Sequence, residues 1–345
     1  MLGAMSIFTG ALLLSSIGRS ESVHIPTEDG SWVALTHHPA AGAPVILVHG
    51  ISCNHRFWDL TPETSWVTSL NEAGLDVWLL DLRGHGDAEK GPEGEHLSQG
   101  WSVDDYGRND LPAAIDHVRS VTGAERVGYV GHSMGGMVLA IYQAWHGDEA
   151  LSAAVILASP VDFARPDPMW VLSSRGSQLA QVLPWIPTPL FARWFSLLGD
   201  HVPFSMDELF FATDNTALST RQLALETIVS PMFRHEIQQF GEFLGEGHFT
   251  AVDGSVDYLA ALESLTTPLL VVAGRADALA PVDRVQPWVN RTSSPARRMV
   301  IAGRANGFGA DYGHLDLVLG DQVSEEIHPL VIGWLDRWNT APPDP

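Results

Sequence analysis

One stretch constrains the fold more than any other: Val127-Gly-Tyr-Val-Gly131-His132-Ser133-Met134-Gly135-Gly136. An apolar run of strand length meets a Gly-x-Ser-x-Gly turn and passes straight into Gly136-Met-Val-Leu-Ala-Ile-Tyr142, a helical pattern. The five-residue pattern alone is a weak signal. Strand, sharp turn and helix in that order form the context in which such a serine is held exposed on a strained backbone. The flanking glycines let strand and helix approach closely, and the helix start favours developing negative charge beside the Ser133 hydroxyl.

The rest of the chain supplies a matching rhythm. Short apolar runs bounded by turn residues recur at 45–48, 77–80, 127–130, 154–158, 269–272 and 299–301. Helical patterns fall between them, at about 62–72, 103–121, 135–145, 282–290 and 322–338. Continuous apolar strands alternating with helices predict an α/β fold, with a mostly parallel, buried central sheet and helices on both faces. Before the first of these runs, 22–38 reads as two antiparallel strands joined at Glu28-Asp29-Gly30. The rhythm breaks over 162–262, which has Pro166, Pro168, Pro184, Pro187 and Pro189, helical stretches and no convincing strand. Ten of the 13 phenylalanines lie there, at 163, 191, 195, 204, 210, 211, 233, 240, 243 and 249. Some of them fill a small helical core, but the enrichment suits a helical cap inserted over an apolar pocket. The expected organisation is therefore a core of 22–161 and 263–345 with a cap of 162–262.

Composition narrows the function. The 345 residues carry 19 basic and 41 acidic side chains, so the net charge is −22. That balance argues against a nucleic-acid partner, which needs clustered Lys and Arg. Lys90 is the one lysine, so Schiff-base and P-loop chemistry are not expected. The single cysteine, Cys53, excludes an internal disulfide and a Cys-based zinc site, and reads as a small loop residue. Over 160–260 there are five Arg against twelve Asp and Glu, 5 − 12 = −7, so the cap is acidic rather than a basic patch for anionic lipid. Residues 5–17 are apolar for about the length of a signal h-region, too short to span a bilayer, and no Lys or Arg precedes them. A packed N-terminal extension (1–21) and a cytoplasmic location are the expectation, with export the alternative.

A serine hydroxyl is a poor nucleophile without a base, and the base needs an orienting carboxylate. Where a serine sits on this strand–turn–helix unit, acid and histidine follow it in that chain order. The turn after the run Leu269-Leu-Val-Val-Ala-Gly-Arg-Ala-Asp277 offers Asp277. Beyond it only His314 and His328 remain. His328 falls in the terminal helix pattern, where packing explains it; His314 lies in the loop Asp311-Tyr-Gly-His314-Leu-Asp316, after the last strand. His314 is the expected base and Asp277 the expected acid. Asp283, Asp311 and Asp316 are rivals for the acid, and Asp316 also reads as a supporting group or a helix cap. Two backbone donors are needed for an oxyanion. Met134 N–H supplies one, and Ile51 N–H, in the loop after the first parallel strand, is the expected second. His49 in that loop reads as hydrogen-bonded within it rather than catalytic.

These residues resemble a serine hydrolase of the α/β-hydrolase fold over about 22–340. Within it the chain is most similar to the acid-lipase-like and polyhydroxyalkanoate-synthase-like branch. The matching pieces are Leu47-Val-His-Gly50, Asn71-Glu-Ala-Gly-Leu-Asp-Val-Trp78, Asp81-Leu-Arg-Gly84-His-Gly86, Trp101-Ser-Val-Asp-Asp-Tyr106, Asp110-Leu-Pro-Ala113 and Tyr312-Gly-His-Leu-Asp316. The resemblance implies hydrolysis of carboxylic esters (esterase or lipase) through an acyl-enzyme, without metal or cofactor. The aromatic cap adds the expectation of a small-molecule apolar ester with a lipophilic acyl or alcohol group. The synthases of that branch use a cysteine where Ser133 stands, which points to hydrolysis here. The cap matches no family motif, so no particular substrate carries over. A thioesterase, an amidase, a carbon–carbon bond hydrolase and a non-catalytic binding protein on the same fold are the competing readings.

Overall fold

A computed structural model describes residues 22–95, 100–164, 185–198 and 206–339. The N-terminal segment 1–21, the prolines at 166, 168 and 184, and Phe204 lie outside the described residues.

Ten strands are described: β1 (Ser22–Pro26), β2 (Trp32–His38), β3 (Pro44–Val48), β4 (Asp76–Asp81), β5 (Val127–His132), β6 (Leu151–Leu157), β7 (Trp185–Ile186), β8 (Met232–Phe233), β9 (Leu269–Gly274) and β10 (Arg297–Ala302). Eight of them make one sheet in the order β1-β2-β4-β3-β5-β6-β9-β10. The pairs β1/β2 and β2/β4 are antiparallel, and every other pair in this sheet is parallel. All five residues of β3 and all six of β5 are buried, as expected of strands covered on both faces. The two covering layers can be read from β5 itself, because successive side chains point to opposite faces. A side chain added at Gly128 would meet Leu335 and Asn339 of the helix His328–Asn339. The next residue, Tyr129, donates its hydroxyl to the Gly135 carbonyl at 2.5 Å, in the helix Met134–His146 on the other face.

Several expected helices begin late or break, each for a local reason. The pattern from 62 becomes a helix only at Trp66, because the Ser65 hydroxyl caps it by accepting the Thr68 N–H at 3.0 Å. The pattern at 103–121 is interrupted by a π-helical turn over Tyr106–Asp110 before the helix Leu111–Thr122. Pro112 has no N–H to give the Arg108 carbonyl, and His146 Nε2–H fills that acceptor instead at 2.8 Å. The terminal pattern splits into Val323–Glu326 and His328–Asn339, ahead of Pro329. In it, His328 packs against the Trp66 ring at 4.3 Å and accepts or donates at Ser69 Oγ, 2.7 Å away. Burial pushes the His328 pKa down to about 4, so it is a neutral packing residue.

β6 and β9 are neighbours in the sheet, yet the chain between them leaves it. That segment contains the helices Thr188–Leu198, Met206–Phe210, Leu218–Thr227, Arg234–Glu246 and Tyr258–Ala261. It also contains the two-residue antiparallel ladder β7/β8, too short to leave a pattern in the sequence. Phe163, Phe243, Phe249 and Tyr258 of this segment form an aromatic cluster, in which Phe249 meets Phe243 and Tyr258 edge to face. No helix among the described residues is long and apolar enough to cross a membrane.

Candidate active site

Three non-glycine residues among those described have positive φ: Ser52, Ser133 and Ala158. They follow β3, β5 and β6, so the backbone strain gathers at the carboxyl edge of the parallel strands, where ligands bind in open α/β sheets. Ser133 sits at φ 51°, ψ −117°, between the end of β5 and the helix Met134–His146. Glycines permit the turn. A Cβ at Gly135 would lie 2.3 Å from the Val48 carbonyl oxygen, and one at Gly131 would lie 2.7 Å from the Gly135 carbonyl carbon. The turn is held from beneath, since Ser133 N–H donates to the Leu157 carbonyl at 2.9 Å.

The loops after β9 and β10 bring Asp277 and His314 to the same edge. His314 Nε2 lies 2.9 Å from Ser133 Oγ, and His314 Nδ1 lies 2.9 Å from Asp277 Oδ2. A carboxylate only accepts, so Nδ1 carries the proton and the Nε2 lone pair faces the serine hydroxyl. The other oxygen, Asp277 Oδ1, accepts the N–H groups of Leu279 (2.9 Å) and Ala280 (2.7 Å), which fixes the carboxylate's plane. All three side chains are almost wholly buried.

The rival acids are placed elsewhere. Asp311 accepts the Arg304 N–H, and Asp283 belongs to the helix Val282–Val285. Asp316 accepts from Gly313 N–H at 2.8 Å, Asn215 Nδ2 at 2.8 Å and Ala212 N–H at 3.2 Å. It therefore holds the loop that carries His314, and burial raises its pKa. His49 donates from Nδ1 to the Gly50 carbonyl at 2.8 Å, and burial pushes its pKa down to about 3, leaving a neutral loop residue. Cys53 is buried and its thiol is pushed up to about 12, so it is no nucleophile. Of the expected oxyanion donors, Met134 is the first residue of its helix and has no intrahelical acceptor for its N–H. Ile51 follows Gly50, whose added Cβ would stand 3.2 Å from Ser133 Cβ.

The segment between β6 and β9 is tied to this edge at further points besides the Ala212 and Asn215 bonds to Asp316. Ser230 N–H donates to the Ser52 carbonyl (2.8 Å), while the Ser52 hydroxyl donates to the Ser230 carbonyl (2.7 Å). Asp104 accepts from Tyr258 OH at 2.8 Å and is hydrogen-bonded to Gln239 of the helix Arg234–Glu246. Finally, His85 Nε2 lies 3.6 Å from Glu236 Oε1, with both side chains fully buried. His55, Asp81 and Asp87 offer a metal-sized group of donor atoms. Asp81 already accepts His55 N–H, His55 Nδ1–H and Asp87 N–H there, so the group serves to close the turn after β4.

A family model described as the alpha/beta hydrolase fold matches residues 43–305. The chain belongs to the α/β-hydrolase family. Among curated relatives, the chain is 37% identical over 106 residues to lipase lipl-3 of Caenorhabditis elegans, covering 29% of this chain and 26% of that one. It is 23% identical over 322 residues to the poly(3-hydroxyalkanoate) polymerase subunit PhaC of Haloarcula marismortui, covering 86% of this chain and 62% of that one. The chain thus spans less than two thirds of the length of either relative. Among solved structures, a thermophilic esterase from Thermogutta terrifontis matches with a TM-score of 0.63 at 19% identity, covering 93% of this chain and all of that one. At that identity the likeness is one of fold.

Sequence reasoning missed the partners that hold these loops in place. His85 lies within Asp81-Leu-Arg-Gly84-His-Gly86, but Glu236 is 151 residues further on and carries no pattern that pairs the two. Burial lowers the His85 pKa and the Glu236 carboxylate raises it, with a net rise. The Arg83 carbonyl, 3.1 Å from His85 Nδ1, and then Asp81 add to that rise, and the rings of His49 and Tyr106 stand at 5.1 and 5.8 Å. A histidine whose folded pKa is raised adds stability that is full below about pH 6.5 and fades as pH climbs through the folded value. His85→Gln should therefore cost most near pH 5.5, roughly 3 kcal/mol for one partner of a buried pair. The gap to wild type should narrow by pH 9. Denaturation midpoints across that range check this, and a gap that widens with pH would contradict it.

Proposed function

We propose that the chain is a serine hydrolase of carboxylic esters with a lipophilic acyl or alcohol group. The observation that carries the reading is the line of two 2.9 Å hydrogen bonds, Ser133 to His314 to Asp277, ending on a serine at positive φ. In this reading His314 Nε2 takes the Ser133 proton as Oγ attacks the acyl carbonyl. Asp277 orients the ring and stabilises the imidazolium, and the N–H groups of Met134 and Ile51 receive the oxyanion. His314 then protonates the leaving alkoxide. Water, activated by the same ring, releases the acid and frees Ser133. No step calls for a metal or cofactor.

Residues 162–262 serve in this reading as the cap, and their phenylalanine content supports an apolar acyl site. The similarity to a lipase and to an esterase supports esters over amides. A series of p-nitrophenyl esters from acetate to palmitate tests this. Burying a methylene is worth about 0.8 kcal/mol, so even partial burial of the roughly six extra methylenes of octanoate should raise kcat/KM at least about tenfold over acetate. A flat profile would remove the lipophilic site, and faster turnover of matched thioesters or amides would move the enzyme to one of those classes.

A further inference from the structure

The residue before the serine is itself a histidine with an unusual set of partners. His132 closes β5, is buried, and its Nε2 lies 3.0 Å from the main-chain carbonyl of His314. A carbonyl can only accept, so Nε2 carries the proton and Nδ1 the lone pair. That Nδ1 is buried with no hydrogen-bond partner among the described residues. It faces the Gly50 backbone, where an added Cβ would stand 3.2 Å away. Burial drives the ring's pKa well below its ordinary value, and the neighbouring His314 acts in the same sense. The ring is clamped between Phe57, at 4.8 Å, and the His314 ring, at 4.9 Å. His132 is thus a neutral imidazole with one fixed tautomer and one fixed direction of donation.

We propose that His132 is a positioning residue for the reaction assigned to Ser133 and His314, an inference that rests on that assignment. His314 stands on a loop, with neither helix nor strand to fix it. The Asp316 carboxylate holds the N–H of Gly313 from one side of that loop. From the other side, His132 Nε2–H holds the carbonyl of His314 itself. Because His132 adjoins Ser133 in the chain, this one bond ties the nucleophile's strand to the base's backbone and sets the distance between Oγ and Nε2. The neutral state matters as well. His314 becomes a cation each time it accepts the serine proton, and a second cation 4.9 Å away would oppose that step. Buried between Phe57 and Gly50, His132 offers a donor without a charge.

The test separates the donor from the bulk of the ring. His132→Leu keeps an apolar side chain but removes Nε2–H, while His132→Gln restores an N–H at similar reach. A displacement of about 1 Å in a reacting group costs on the order of 100-fold, so His132→Leu should lower kcat about 10- to 100-fold with KM changed less than about twofold. His132→Gln should return to within about threefold of wild type. A fluorophosphonate should still label Ser133 in both variants, more slowly in His132→Leu and in proportion to its kcat. Full kcat in His132→Leu would overturn the proposal, and so would equal losses in the two variants. If His132→Leu does not fold, His132→Asn takes its place: its shorter amide falls short of the His314 carbonyl, and kcat equal to that of His132→Gln would overturn the proposal. Failure of the underlying assignment looks different, since wild-type protein would then resist the fluorophosphonate altogether.

Discussion

Ser133→Ala should abolish ester turnover, lowering kcat by about a millionfold, while leaving the fold in place. The size follows from the way a nucleophile and its base act as one unit, so that removing either member forfeits nearly the whole contribution of both. What should survive is substrate binding and the two backbone donors proposed for the oxyanion, which do not depend on the hydroxyl. The structural cost is small, because the substitution deletes one hydrogen bond, to His314 Nε2, and keeps every backbone contact of the turn. Asp277→Asn should cost on the order of 10⁴-fold in kcat. The amide would present an N–H where His314 Nδ1–H now donates, favouring the tautomer whose Nε2 carries a proton and cannot take one from Ser133. Steady-state rates on a p-nitrophenyl ester, with circular dichroism and melting curves alongside, measure both variants. Turnover by folded Ser133→Ala within tenfold of wild type would show that another group attacks.

The second large effect lies away from the serine. Arg83 is buried in the turn after β4. Its guanidinium reaches Asp110 at 2.6 and 2.7 Å and Asp29 at 2.6 and 3.0 Å. It thereby joins the β1–β2 hairpin, the turn after β4 and the start of the helix Leu111–Thr122. Burial pushes the Asp110 carboxyl upward and Arg83 is the force that opposes this. Arg83→Met should destabilise the protein by about 3–5 kcal/mol, because it leaves a fully buried carboxylate without its cation. Adding Asp110→Leu should recover much of that loss, since a buried pair replaced by apolar groups of similar volume is often near neutral. Urea denaturation of the single and double variants checks the sign and size. A double variant less stable than Arg83→Met would show that Asp110 does more than neutralise Arg83.

The two predictions draw on features that were unequally legible in the sequence. The buried strands declared themselves because β3, β5 and β9 are uninterrupted apolar runs, and a strand covered on both faces needs no polar alternation. Ser133 and Asp277 could be singled out because each follows such a run, and His314 because chain order left only it and His328 beyond Asp277. Helix ends were less legible. The Ser65 cap and the π-helical turn before Pro112 are decided by single hydrogen bonds. The partners of Arg83, His85 and Ser52 were not legible at all. Each bond joins residues far apart in sequence, and neither partner's local pattern differs from that of a solvated polar residue. His132 shows the same limit at close range. Its place beside Ser133 was plain, but its hydrogen bond to His314 exists only once β5 and the loop after β10 meet at the sheet edge.

The most direct test of the central claim is stoichiometric labelling by a fluorophosphonate, read by intact mass and by peptide mapping. A serine whose proton is taken by His314 should bond to phosphorus, expelling fluoride, with one adduct per chain at Ser133 and none in Ser133→Ala. Folded wild-type protein that stays unlabelled, or that carries its adduct on another residue, would contradict the assignment of Ser133 as the nucleophile.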